Sequence, residues 1–142
     1  MEELQEKSLA RETSRMEIAI PATKYSDLDD GLKLAIRSAA DKKALDIVGL
    51  DLRDIASFTE HFVIATGTNQ RQVQAIADEI SERLKKELGL RAVRIEGYST
   101  GEWVLLDYGD FVFHIFNETS REFYDLERLW RDARKIEIPD DL

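Results

Sequence analysis

The chain has 142 residues, 43% hydrophobic and 35% charged, a length and balance that suit one soluble domain with one core. It has no cysteine, which excludes disulfides and thiolate metal sites, and no apolar run near the ~18 residues that a membrane span needs. A formal charge of −9 repels nucleic-acid phosphates unless the few cations cluster, and it favours a basic protein partner.

The first residues, MEELQEKSLARETSRM, lack the apolar centre of a signal peptide. Glu2, Glu3, Glu6, Glu12 and Glu17 argue against an organelle transit peptide, which is usually acid-poor, so the cytoplasm is the expected location. Residues 1–25 read as a polar extension, 26–132 as the domain and 133–142 as a tail ending in Pro139 and Asp140-Asp141.

Ser26 to Asp29 fits a capping box, and Leu28, Leu32, Ala35, Ile36 and Ala39 follow at helical spacing, which predicts a helix over about 27–43. LDIVGLDL (45–52) and HFVIATGT (61–68) read as strands. Val73, Ile76, Ala77, Ile80, Leu84 and Leu88 line one face of a second helix, with Thr68 or Asn69 to cap it and Gly89 to end it. RAVRIE (91–96) is a third strand, expected to lie parallel to the one before the helix. After a loop over 97–101, strands are expected at 102–107 and 110–116. A capping box from Thr119 to Glu122 then opens a last helix that buries Phe123, Leu126 and Leu129 or Trp130. The order α-β-β-α-β-β-β-α predicts an α+β fold, a mixed five-stranded sheet with helices mainly on one face.

The stretch EWVLLDYGDFVFHIF (102–116) raises the functional question, because it sets aspartates, a histidine and a tryptophan in an apolar hairpin. With Tyr108-Gly109 as a two-residue turn, Leu106 faces Phe111, Val104 faces Phe113 and Trp103 faces His114. Alternation then puts Val104, Leu106, Phe111, Phe113 and Ile115 on a purely apolar face that should meet the helices. Trp103, Leu105, Val112, His114 and Phe116 form the other face, with Asp107 and Asp110 at the turn end. An apolar face rimmed by charge marks an interaction site, unless the last helix or the N-terminal extension folds over it.

Asp107, Asp110 and His114 have metal-ligand chemistry, but one histidine beside two turn carboxylates is a thin ligand set. No serine sits in a glycine-flanked elbow near His61 or His114, so a nucleophilic triad lacks support. TGTNQR (66–71) sits where a strand meets a helix, yet it lacks the lysine and glycine spacing of a phosphate loop. FVFHIF lacks the glycine-bearing signature of an RNA-stacking sheet.

Taken together, TEHFVIATGTNQRQVQAIAD, IEGYSTGEWVLLDYGDFVFHIF and REFYDLERLW resemble the ribosomal silencing factor (Iojap-related) family over about residues 30–132. Glu60 and Asn69 depart from the residues more usual there, aspartate and serine. The resemblance implies a nucleotidyltransferase-like fold without enzymatic activity, catalytic residues, cofactor or metal. It implies binding to the large ribosomal subunit through a basic protein, the fourteenth of the L series, and obstruction of small-subunit joining, which represses translation. A homodimer is also implied; direct sequence-specific binding to nucleic acid and membrane association are not. Carried over residue by residue, the partner-binding positions are Trp103, Asp107, Tyr108, Asp110, His114, Arg121 and Tyr124. Leu126, Leu129 and Trp130 read as core.

Overall fold

A computed structural model describes residues 21–142. Expectations for residues 1–20 lie outside the described residues. The strands are β1 (Thr23–Lys24), β2 (Leu45–Asp51), β3 (His61–Gly67), β4 (Arg94–Glu96), β5 (Trp103–Asp107), β6 (Phe111–Asn117) and β7 (Arg134–Glu137). The helices are α1 (Asp30–Asp41), α2 (Gln70–Leu88), α3 (Glu118–Tyr124) and the single turn α4 (Leu126–Leu129). The strands form one mixed sheet in the order β1-β7-β2-β3-β6-β5-β4.

The sheet therefore has seven strands, not five. The two additions come from segments assigned to the extension and the tail. β7 lies between β1 and β2, pairing Ile136 with Gly49. A Cβ on Gly49 would sit 2.8 Å from the Ile136 side chain, so the glycine makes room for this strand. A pairing set by residues 87 apart is invisible to local pattern. The strand after α2 also differs from expectation. It runs in the same direction as β3, but β6 and β5 lie between them, and β3 pairs in parallel with β6 instead.

Asn69 caps α2 by accepting from the Gln72 amide, and Gly89 ends it at φ 68°. The other caps move. α1 starts after Asp29, because Tyr25–Asp27 form a 3-10 turn, and α3 is capped by Asn117 rather than Thr119.

The hairpin register is offset by two residues from the expected one. Leu106 pairs with Phe113, Val104 with Ile115 and Trp103 with Phe116. Tyr108 bonds back to Phe111, so Gly109-Asp110 is the turn, with Gly109 first at φ 88°. A shift of two leaves each side chain on its expected face, because alternation has period two. The offset is fixed from outside the hairpin: the Glu60 and His61 amides donate to the Asp110 carbonyl, and Thr59 donates to Gly109.

Val104, Leu106, Phe111, Phe113 and Ile115 are buried with Val73, Ile76, Ile80 and Leu84 of α2 and Leu32 and Ile36 of α1. The opposite face carries a smaller cluster of Leu50, Leu52, Phe62, Ile64, Val112 and Phe116, against which Leu126 and Trp130 pack. The C-terminal segment thus covers part of the second face.

Candidate partner-binding face

Trp103 starts β5 and lies half-buried on the second face. Its position is fixed from two sides. Gly97 approaches the Trp103 carbonyl so closely that a Cβ would collide with it, and Gly97 has a φ of 79°. The indole Nε1 donates to His114 Nδ1 at 3.1 Å. The ring stacks on Phe116 at 4.8 Å and meets Tyr124 at 4.6 Å.

His114 supports the tryptophan and is not itself a contact surface. It is 3% exposed, with Phe62 packed edge-on at 4.5 Å. Burial lowers its pKa to about 4, so the imidazole is neutral at pH 7. With Nδ1 accepting, the proton sits on Nε2, which is buried without a hydrogen-bond partner among the described residues.

The other expected site residues separate into different roles. Asp107 lies at the far end of β5 from Trp103, pairs with Arg94 at 3.2 Å and accepts from the Gly109 amide at 2.9 Å. It organises the turn. Asp110 is exposed in that turn, beside the exposed Glu60 through the Glu60 amide to Asp110 carbonyl bond. Tyr108 points to the helix-covered side, where its ring stacks on Phe111 at 5.0 Å and burial raises its pKa. Arg121 is a clamp. It donates to the Asp46 carbonyl and the Thr66 hydroxyl, and it grips Glu127 at 2.8 Å.

Tyr124, at the end of α3, does reach Trp103 and is 49% exposed. Beside it the structure reverses two expectations. Phe123 and Leu129, read as buried, are 77% and 70% exposed. The helical repeat is broken at Asp125, which adopts φ 47° and rotates α4 relative to α3. Leu126 and Trp130 therefore turn inward while Leu129 turns out. Phe58 was missed altogether: it is 61% exposed and packs against Trp130 at 5.9 Å. A lone aromatic in a connecting loop gives no periodic signal.

The result is an aromatic belt on the second face in two groups, Phe58 with Trp130 and Trp103 with Tyr124 and Phe123, joined through the buried rings of Phe62 and His114. Glu60 and Asp110 lie beside Phe58, and Arg128 and Arg131 lie with Leu129 beside Phe123 and Tyr124. Exposed aromatic groups on a rigid base are suited to macromolecular recognition.

A polar cavity of about 340 Å³ opens at the ends of β3 and β2, bordered by Thr66, Asp46 and Arg121. Arg121 is already committed there to protein acceptors. At the nearby helix start, the Thr68 amide and hydroxyl both donate to Gln72, so the TGTNQR junction is satisfied internally. Among the described residues, no three histidine or carboxylate side chains gather into a metal-holding group.

Residues 25–142 match the family model described as ribosomal silencing factor during starvation. The chain is 41% identical over 107 residues to the ribosomal silencing factor RsfS of Halalkalibacterium halodurans, covering 75% of this chain and 91% of that one. It is 42% identical over 102 residues to the Bacillus subtilis protein of the same name, covering 72% and 86%. A crystal structure of a Chromobacterium violaceum protein superposes with a TM-score of 0.69 at 39% identity, over 78% of this chain and 88% of that one.

Proposed function

The chain belongs to the ribosomal silencing factor family, and from that premise we propose that it docks on the large ribosomal subunit through the belt around Trp103 and bars the small subunit from joining. Family membership supports a ribosome-associated role in silencing translation. The observation that carries the finer reading is the exposure of Tyr124 and Phe123 beside a Trp103 held by His114 and Phe116. Such anchors can fill pockets on a partner without reorganising first.

The partner on the large subunit is a basic ribosomal protein, the fourteenth of the L series. A chain of charge −9 is drawn to it, and the adjacent carboxylates Asp110 and Glu60 offer acceptors to its lysines and arginines. Asp107 contributes indirectly, by holding the turn. The mechanism is occlusion: a bound protein at the joining surface needs only to clash with the small subunit. It involves no turnover and no cofactor.

In this reading, kinship with nucleotidyltransferases is one of fold only. Gly67 ends β3 and Thr68 follows it, but the next carboxylate, Asp78, lies on α2 and accepts from the Tyr98 hydroxyl at 3.0 Å. Self-association through the same apolar belt is the rival use of this face, and light scattering of the isolated chain measures it.

A density gradient with purified subunits tests the proposal. The protein should migrate with the large subunit and reduce the joined-ribosome peak when added before the small subunit. Protein left at the top of the gradient, or undiminished joining, would overturn it.

A further inference from the structure

Strand β4 ends the sheet, with β5 on one side and no strand on the other among the described residues. Main-chain groups along such an edge are open to pairing with another extended chain. Folded proteins usually blunt edges with charge, and Arg94 and Glu96 do so on the face they share with Asp107. The other face of the edge is apolar: Ile95 is 49% exposed and Val93, just ahead of it, 74%.

Beside Ile95 a groove of about 320 Å³ runs between β4 and the C-terminal half of α2, floored by Tyr108. Lys85, on α2, and Arg91, in the connection to β4, both line it and are exposed. Among the described residues neither has a carboxylate within ion-pair distance, whereas Arg83 and Arg94 nearby are paired. Glu82 is the acidic residue on the groove, outnumbered by the two cations. On a chain of charge −9 this is a local reversal of sign beside an open strand edge.

We propose that this groove takes an extended acidic segment of a partner protein. The segment adds to β4 as a further strand, sets an apolar side chain on Ile95 and places carboxylates against Lys85 and Arg91. Main-chain pairing supplies affinity, and the flanking cations supply the preference for acid. A nucleic acid fits less well, because the exposed groups at the edge, Val93 and Ile95, are aliphatic, and the Tyr108 ring on the groove is already stacked on Phe111. The groove opens on the helix-covered side, away from Trp103, so both sites can be filled together.

The test titrates the full chain into a fluorescein-labelled decapeptide with threonine at every second position and valine and glutamate alternating between them, so that both share one strand face, followed by anisotropy, with amide exchange read by mass spectrometry. Saturable binding is expected, with slowed exchange in residues 93–96. Binding should weaken at least about tenfold for the Lys85→Glu/Arg91→Glu variant, whose exposed positions leave folding intact by circular dichroism, and for a peptide with lysine in place of glutamate. The proposal is overturned by absence of saturable binding, by equal binding of the lysine peptide, or by protection that falls outside the β4 edge. Displacement of the peptide by polyuridylate would make the groove a phosphate site. A dimer lost on Ile95→Lys would make the edge a self-contact. Either result also overturns it.

Discussion

The two faces of the sheet use the same strands for opposite ends. On the helix side, Val104, Leu106, Phe113 and Ile115 are each at most 1% exposed beneath α1 and α2. On the other side, the same alternation delivers Trp103 and Leu105 to a face that the C-terminal segment covers only in part. A sheet with one well-sealed face can leave aromatic groups exposed on the other, because most of the apolar burial that holds the fold together is already secured. The second face is also layered. His114 and Phe116 form a buried floor, and Tyr124 and Phe123 stand above it.

The largest effect should come from breaking the sealed face. Phe113→Ala is expected to cost about 3–5 kcal/mol, read as a lower urea midpoint, because it empties fully buried volume. A loss below about 1 kcal/mol would mean that the helix-side core is not as tight as its burial indicates.

The floor of the second face should show itself through pH. Burial holds the His114 pKa at about 4, so the unfolded chain binds more protons than the folded one between the ordinary histidine value and that pH. The stability from the neutral imidazole is complete above about pH 6.5 and is lost as pH falls toward 4, about 3 kcal/mol in all. Burial lowers the His61 pKa too, so the quantity to measure is the difference between wild type and His114→Phe across that window. A difference independent of pH would show that His114 is not buried as a neutral group.

Trp103→Ala should weaken binding to large subunits about tenfold or more, a loss of ~1.4 kcal/mol. Because the indole also packs on Phe116 and bonds His114, the variant will lose stability as well, and binding must be measured where it remains folded. Reversing Asp110 and Glu60 to lysine should weaken binding by a smaller factor that shrinks as salt is raised. The smallest effect on stability belongs to Phe123→Ser, within about 0.5 kcal/mol in urea, since that ring is 77% exposed.

The split between faces was legible in the sequence because period-two alternation survives a register error of two. Strand alternation and the resemblance both point to Trp103, and the resemblance alone to Tyr124; the structure sets their rings 4.6 Å apart. What failed depended on contacts from afar. β7 needs the space at Gly49, and the turn needs Thr59 and Glu60. Phe123 and Leu129 were misplaced for a local reason, since Asp125 adopts a left-handed conformation that aspartate takes less often than glycine. Extending the helical repeat through it put both residues on the wrong side.

The exposed layer allows the central claim to be tested without disturbing the floor. The most direct measurement is the affinity of purified large subunits for wild type and for Phe123→Ser/Tyr124→Ser, compared at equal folded fraction. The docking account predicts that the double variant keeps wild-type urea stability to within about 1 kcal/mol and binds at least about tenfold more weakly. Wild-type affinity in a folded double variant would contradict it, and would move the ribosome contact off this face.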